Sequence, residues 1–240
     1  MSENCFWLWN PSTRLTSERV SVPFHYIHHG FGYDTVNDKY KLVLFREHDT
    51  GIYTFGADSW TRTWTSAHWP TDKLGIFCNG ALHWLTENIL GVHQWLILSF
   101  DLGKEAYADL VLPRQIQDDR HILNNVLAVL HGSLSVCLFD SKEAHWDMWL
   151  MEEYGIPESW TKLMVIPLVE PVMMSLSFRP LYISKDKVVL FKIYLSRLVL
   201  CDSNNDNRSY PTISDELEYH MELALNWHLY HESLISPHQQ

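Results

Sequence analysis

The sequence predicts an all-β fold, a β-propeller-like ring of about four complete four-stranded blades plus a partial blade closed by N- and C-terminal strands. Three observations carry that expectation. The 240 residues include 11 Trp, 11 Tyr and 10 Phe, side chains that favour half-buried pleated surfaces. Aromatic residues that follow a polar turn recur at Trp60, Tyr107, Trp160 and Tyr210, spaced 47, 53 and 50 residues apart, which is the period of a propeller blade. Two successive hairpin signals fall within each period, and together they make four strands.

The units follow in order along one domain, residues 1–240. Phe6-Trp7-Leu8-Trp9-Asn10-Pro11 and then Arg19-Val20-Ser21-Val22 read as the last two strands of a partial blade, residues 1–22. The first whole unit, 30–66, opens with a hairpin around Asn37-Asp38 and continues through Ile52-Tyr53-Thr54-Phe55 to Asp58-Ser59-Trp60. The second, 75–113, turns at Asn79-Gly80 and runs through Leu96 to Asp101 before Tyr107. The third, 126–167, turns at His131-Gly132 and passes Met148 to Met151 before Ser159-Trp160. The fourth, 180–214, turns at Lys185-Asp186 and reaches Leu198 to Asp202 before Tyr210. Gly, Asn and Asp are the residues expected where a tight hairpin needs positive φ. Residues 215–240 form a closing segment and tail, of which 221–235 can lend a strand to the partial blade and so hide its edges; His220 to His231 reads as either helix or strand. Trp9, Trp60, Trp84, Trp149 and Trp160 are expected between blades.

Composition narrows the function. With 18 Lys+Arg against 29 Asp+Glu the formal net charge is −11, the wrong sign for broad contact with a phosphate backbone, so no nucleic acid is expected as partner. The N-terminus lacks the basic and apolar regions of a signal peptide. The most apolar stretch, Val188 to Cys201, contains Lys192 and Arg197 and is too short for a membrane helix. The expectation is a soluble protein of the cytoplasm or nucleus with no membrane partner. Cys5, Cys78, Cys137 and Cys201 have no CxxC spacing and read as free thiols.

No reactive constellation emerges. His25, His28 and His29, and His228 with His231, lack the HExxH pattern and cysteine partners of zinc sites, so no metal is expected. Asp202 to Asn207 begins like a calcium loop, but Asn207 stands where that loop has glycine and Ile213 where it has glutamate. Neither a GxSxG elbow nor a glycine-rich phosphate cradle occurs. Asp118-Asp119 and Glu152-Glu153 are adjacent and point apart in extended chain. Asn207-Arg208-Ser209 matches the glycosylation pattern, idle in a chain without a secretory signal. The protein is therefore expected to be no enzyme and to need no cofactor.

Several motifs stand in order along the chain: Leu8-Trp9-Asn10-Pro11-Ser12-Thr13-Arg14, Gly30-Phe31-Gly32-Tyr33-Asp34 with Asp38 to Val43, Asn79 to Leu85, and Ile97 to Leu102. Trp149-Leu150-Met151 with Tyr154-Gly155 and Glu158 to Leu163, and the closing Glu232 to Pro237, complete the set. Together they resemble the domain that follows the F-box in a very large plant family. The resemblance covers nearly the whole chain. It implies a kelch-like interaction domain of a substrate receptor for an SCF-type ubiquitin ligase, with the protein to be ubiquitinated as partner. It also implies the cullin-complex adaptor as partner if a longer form carries the F-box. The sequence starts at the Trp-Asn-Pro motif, so the expectation is a form without the F-box.

Long irregular loops on a rigid scaffold are where binding residues usually sit. In a four-stranded blade the links between blades and the loops between second and third strands share one face. The loops there are 67–74, 114–125 and 168–179 between blades, and 87–94 and 140–146 within them. Exposed aromatic and arginine side chains supply most interface energy, which selects His68, Trp69, Arg114, Arg120, His121, Glu170 and Arg179 as candidate target contacts. Two alternatives stand beside a receptor: a carbohydrate-binding or glycoside-hydrolysing β-propeller, and a non-functional truncated remnant.

Overall fold

The computed structural model describes residues 5–22, 25–46, 49–64, 68–88, 94–112, 122–167, 179–193, 197–202 and 208–209. Among them the only helical element is a single 3-10 turn, Pro157–Ser159. An N-terminal hairpin pairs β1 (Cys5–Phe6) with β4 (Val20–Ser21) and β2 (Trp9–Asn10) with β3 (Leu15–Thr16). Four four-stranded sheets follow, each made of strands consecutive in sequence. The first contains β5 (His28–Asp34), β6 (Lys39–Phe45), β7 (Asp49–Thr54) and β8 (Ser59–Trp64); the second contains β9 (Ile76–Cys78), β10 (Ala81–Asn88), β11 (Gln94–Asp101) and β12 (Ala106–Val111). The third contains β13 (Ile122–Leu130), β14 (Ser133–Asp140), β15 (His145–Met151) and β16 (Trp160–Pro167); the fourth contains β17 (Arg179–Ile183), β18 (Val188–Ile193), β19 (Arg197–Asp202) and β20 (Arg208–Ser209). Serial four-stranded antiparallel meanders are the blades of a β-propeller. The segment expected to close the partial blade, 221–235, lies outside the described residues, as does the calcium-like loop beyond Asp202.

The turns show why these strands reverse where they do. Asn79-Gly80 and His131-Gly132 have φ of 49° and 76°, and 49° and 79°. Each sits between directly paired residues, Cys78 with Ala81 and Leu130 with Ser133. These are two-residue loops with both φ positive, whose twist matches that of the flanking strands. Four further turns begin with Asn10, Asp34, Asp101 and Asp140, whose side-chain oxygens accept the backbone N–H groups two and three residues on. The fourth residue after each, Arg14, Asp38, Glu105 and Ala144, takes a φ between 50° and 59°. That left-handed conformation costs a non-glycine residue about 1–2 kcal/mol, which the side-chain hydrogen bonds offset. The β17–β18 reversal turns at Lys185-Asp186 as expected, with the positive φ one residue on, at Lys187 (60°), and Ser184 Oγ accepts the Val188 N–H.

The chain divides into two compact units. The first holds the described residues up to Trp84 together with Leu98–Ala108, and the second holds the remainder. In the first, β6 is buried on both faces. Val43 and Phe45 join Ile52, Leu82, Trp84, Leu98, Phe100 and Leu102. Leu42 and Leu44 meet Tyr53 and Phe55, with Phe6, Leu8, Val20 and Val22 of the hairpin packed on them. With Phe6 and Leu8 turned inward, Trp7 and Trp9 point away from that cluster, 50% and 60% exposed, and the Arg19 guanidinium lies over the Trp7 ring. Trp9 is thus not a core residue, contrary to expectation. Close approach of β5 to the second sheet depends on glycine: a Cβ at Gly30 would lie 2.9 Å from Leu82 Cδ1, and one at Gly32 would lie 2.4 Å from Phe77 Cδ2.

Lys41, 4% exposed, is buried in this unit. Its Nζ lies 2.8 Å from Asp34 Oδ2 and 2.8 Å from Glu105 Oε1, and donates to the Leu102 carbonyl at 2.7 Å. Burial opposes the charge on both Lys41 and Asp34. The hydrogen bonds between them, with those from Asn37 to Asp34 and from Lys41 to Glu105, outweigh it, so the amine sits above and the carboxyl below its usual range. The turn headed by Asp34 and the turn ending at Glu105 are thereby tied to one ammonium.

The second unit packs Val126, Cys137, Phe139, Trp146 and Met148 of the third sheet against Ile183, Val189, Phe191, Val199 and Cys201 of the fourth. Trp160 Nε1 donates to the Val111 carbonyl at 3.1 Å. The described cysteines are free thiols; burial pushes Cys78 up to about 11 and raises Cys137 as well.

Two outcomes follow for stability. Lys41→Met strands the Asp34 carboxylate and is expected to cost about 3–5 kcal/mol. Glu105→Gln, at a side chain 33% exposed, is expected to cost less than about 1 kcal/mol; equal losses in urea unfolding would refute this division. His83, fully buried, donates from Nδ1 to the Ile76 carbonyl and accepts the Ser99 hydroxyl at Nε2, and burial lowers it to about 4. Between pH 6.5 and about 4 the unfolded chain therefore binds a proton at His83 that the folded chain does not. Stability is full above pH 6.5 and falls by up to about 3 kcal/mol as the pH drops to 4. In His83→Gln that part of the acid sensitivity should vanish from urea titrations across this window.

Candidate protein-binding surface

One end of the first sheet carries the described loop that the sequence singled out. After β8 the chain turns back and residues 68–75 lie along β5. The His29 N–H donates to the Lys73 carbonyl at 2.8 Å, the Gly75 N–H donates to the His29 carbonyl at 2.7 Å, and His29 and Leu74 form a parallel bridge. The strap can lie this close because residue 75 is glycine, whose Cβ would fall 2.3 Å from the Trp84 indole. His28 Nδ1–H donates to the Asp72 carbonyl at 2.8 Å, and Trp69 meets the His28 ring edge to face at 5.3 Å. Burial lowers both His28 and His29 from the usual imidazole value, so both rings are neutral near pH 7. Trp69 is anchored on one side and 37% exposed on the other, with Ile27 and Trp64 also exposed. Arg46 and Arg62 reach Asp49 at 3.4 and 3.6 Å. A rigidly held, partly exposed aromatic is the kind of side chain that anchors an interface.

The structure brings His68 and Trp69 together on this strap. Arg179 opens β17 in the second unit, directly across from Lys192. Arg114, Arg120, His121 and Glu170 lie outside the described residues, as do Asp118-Asp119 and the His228 and His231 pair. Among the described residues no group of three or more His, Cys, Asp or Glu side chains could hold a metal ion. No described helix is long and apolar enough to cross a membrane.

Sequence reasoning passed over two polar groupings. His83 and Ser99 are in contact, 3.3 Å apart, as a serine and its base would be, but they are 0% and 4% exposed; no substrate reaches that hydroxyl, and the pair serves to satisfy buried polar atoms. On β15, alternation puts His145, Asp147 and Trp149 on one face, with Lys162 of β16 opposite Trp149. Lys162 Nζ lies 2.7 Å from Asp147 Oδ2 and over the Trp149 ring at 5.8 Å, and His145 Nε2 lies 3.0 Å from Asp147 Oδ1. The signal was present in the Trp149 and Lys162 motifs, but the pairing needs the register, which is displaced between Met148 and Trp149. Glu152 and Glu153 are exposed, Glu152 accepting the Thr161 hydroxyl.

Comparison with known proteins adds the family. The model of the F-box associated beta propeller domain matches residues 1–236. The F-box/kelch-repeat protein At3g23880 of Arabidopsis thaliana is 30% identical over 87% of this chain and 59% of its own length. The F-box protein CPR1 of the same plant is 26% identical over 87% of this chain and 59% of its own. Among solved structures, the WD40 domain of SCAP from fission yeast matches 88% of this chain and 51% of that one, with 10% identity and a TM-score of 0.42. This chain spans about three fifths of the length of the curated relatives it matches. With a family match over all but its last residues, the chain belongs to the F-box associated β-propeller domain family.

Proposed function

We propose that this domain recognises substrate for an SCF-type ubiquitin ligase: it holds a target protein, and an F-box in the same receptor engages the cullin-complex adaptor. The reading is carried by the family match across residues 1–236, and it is supported by curated relatives that are F-box proteins. The physical basis is a binding scaffold without chemistry of its own. Runs of buried residues on β6, β10 and β14 hold those sheets rigid, and a preorganised scaffold favours affinity. On this reading the protein acts in the cytoplasm or nucleus, and His68, Trp69, Arg114, Arg120, His121, Glu170 and Arg179 contact the target. Sugar binding, the competing use of exposed indoles, would show as sugar-dependent thermal stabilisation.

Reconstitution tests it. The domain is joined to an F-box, assembled with adaptor and cullin, and offered the proteins it captures from plant extract. At least one captured protein should be ubiquitinated by this assembly and not by the F-box alone. Arg114→Glu with Arg120→Glu should weaken that capture about tenfold or more, with the Tm within about 2 °C of wild type. Captured proteins left unmodified by the complete assembly would overturn the receptor reading; capture indifferent to the double reversal would remove the two arginines from the surface.

A further inference from the structure

The fourth sheet contains a charge arrangement that folding does not explain. Arg179 on β17 and Lys192 on β18 are direct cross-strand partners, so their side chains leave the same face with Cβ atoms about 5 Å apart. Both residues are half-buried. Like charges directly opposite one another destabilise a sheet, and no acidic side chain among the described residues pairs with either. Other cations in the chain are neutralised: Lys41 by Asp34 and Glu105, Lys162 by Asp147, and Arg46 by Asp49. Burial, and then the charge of Arg179, push the Lys192 amine below its ordinary value.

The surroundings strengthen rather than relieve this. On the same face, Lys192 pairs with Leu198, Leu190 pairs with Leu200 and with Tyr182, and these leucines are half-buried. An apolar floor lowers the local dielectric and strengthens any ion pair formed upon it. Guanidinium offers two parallel N–H groups and ammonium adds a point charge, a combination that matches an oxygen-bearing anion.

We propose that Arg179 and Lys192 form an oxyanion-binding site that receives a side-chain carboxylate or phosphate monoester of a bound polypeptide. The polypeptide part of this assignment rests on the receptor reading above; the anion part stands on the cross-strand cations alone. The site joins a candidate contact, Arg179, to a residue the sequence did not mark, and its occupancy removes the repulsion that the empty sheet carries.

The test uses the whole chain and inorganic phosphate, compared with chloride at equal ionic strength and pH 7.5. Phosphate at about ten times its Kd is expected to raise the Tm of the wild type by about 3 °C. Arg179→Met and Lys192→Met should each abolish that gain while melting no lower than wild type in chloride, and Lys192→Arg should keep it. A wild type indifferent to phosphate overturns the site, and so do methionine variants that retain the gain. Anisotropy with one peptide carrying phosphoserine, glutamate or serine at a single position then separates the sources. Tenfold tighter binding of phosphoserine or of glutamate than of serine supports the polypeptide assignment, and equal binding of all three refutes it. Failure of ubiquitination in the reconstituted ligase leaves the phosphate result standing, so the two readings fail separately.

Discussion

Residues buried in unbroken succession along the inner strands set the terms for the rest of this domain. In β6 the run Lys41 to Phe45 is buried throughout, and in β14 the run Leu134 to Phe139 is as well. A strand turns successive side chains to opposite faces, so such a run exists only where both faces are covered by other protein. Two consequences follow. Flat rings and branched aliphatics must fill the space between sheets, as Phe45 does against Trp84 with centroids 4.7 Å apart. Any polar side chain falling in the run must find its partners inside the protein, because water is excluded.

Lys41 and His83 satisfy the second consequence in different ways. Lys41 keeps its charge and is surrounded by acceptors: two carboxylates and a carbonyl. His83 gives its charge up, since a neutral ring with one donor and one acceptor matches the Ile76 carbonyl and the Ser99 hydroxyl. The difference follows from the chemistry available. An amine near 10.5 is too basic to be neutralised cheaply and calls for counter-charge, whereas imidazole near 6.5 needs little free energy to stay neutral. The Asp34 carboxylate has a second duty, because its Oδ1 caps the turn at Val36 and Asn37. Core electrostatics and turn geometry thus share one side chain, and neither can be altered without the other.

Much of this was legible beforehand, for physical reasons. Alternating and continuous apolar runs report burial directly, and Asn-Gly or His-Gly between two such runs reports a tight reversal, so the hairpins around Asn79-Gly80 and His131-Gly132 could be read from residue type alone. Turns closed by Arg14, Glu105 and Ala144 could not, because their positive φ is sustained by an Asn or Asp four residues earlier, not by the residue that adopts it. Trp9 misled for a related reason: indole area predicts burial on average, but the hairpin turns only one of its faces inward, and Phe6 and Leu8 occupy it. Lys41 reads as a surface residue until its register opposite Gly32 is known. Of the candidate contacts, His68, Trp69 and Arg179 could be placed on the fold; Arg114, Arg120, His121 and Glu170 lie outside the described residues.

Strand register is also what separates structural charge from functional charge in this chain. Lys41 and Lys192 occupy similar sequence settings, each within an apolar run on the second strand of a four-stranded sheet. The first meets acids and is part of the core. Across from the second stands another cation, Arg179, and the resulting repulsion is a cost the folded domain bears when nothing is bound. A binding partner that supplies the missing negative charge recovers that cost on association, so the strain is converted into affinity for one class of ligand and against neutral ones. Specificity then arises from an interaction the protein leaves incomplete, while the rigidity that makes it selective comes from interactions, such as those of Lys41 and His83, that it completes internally.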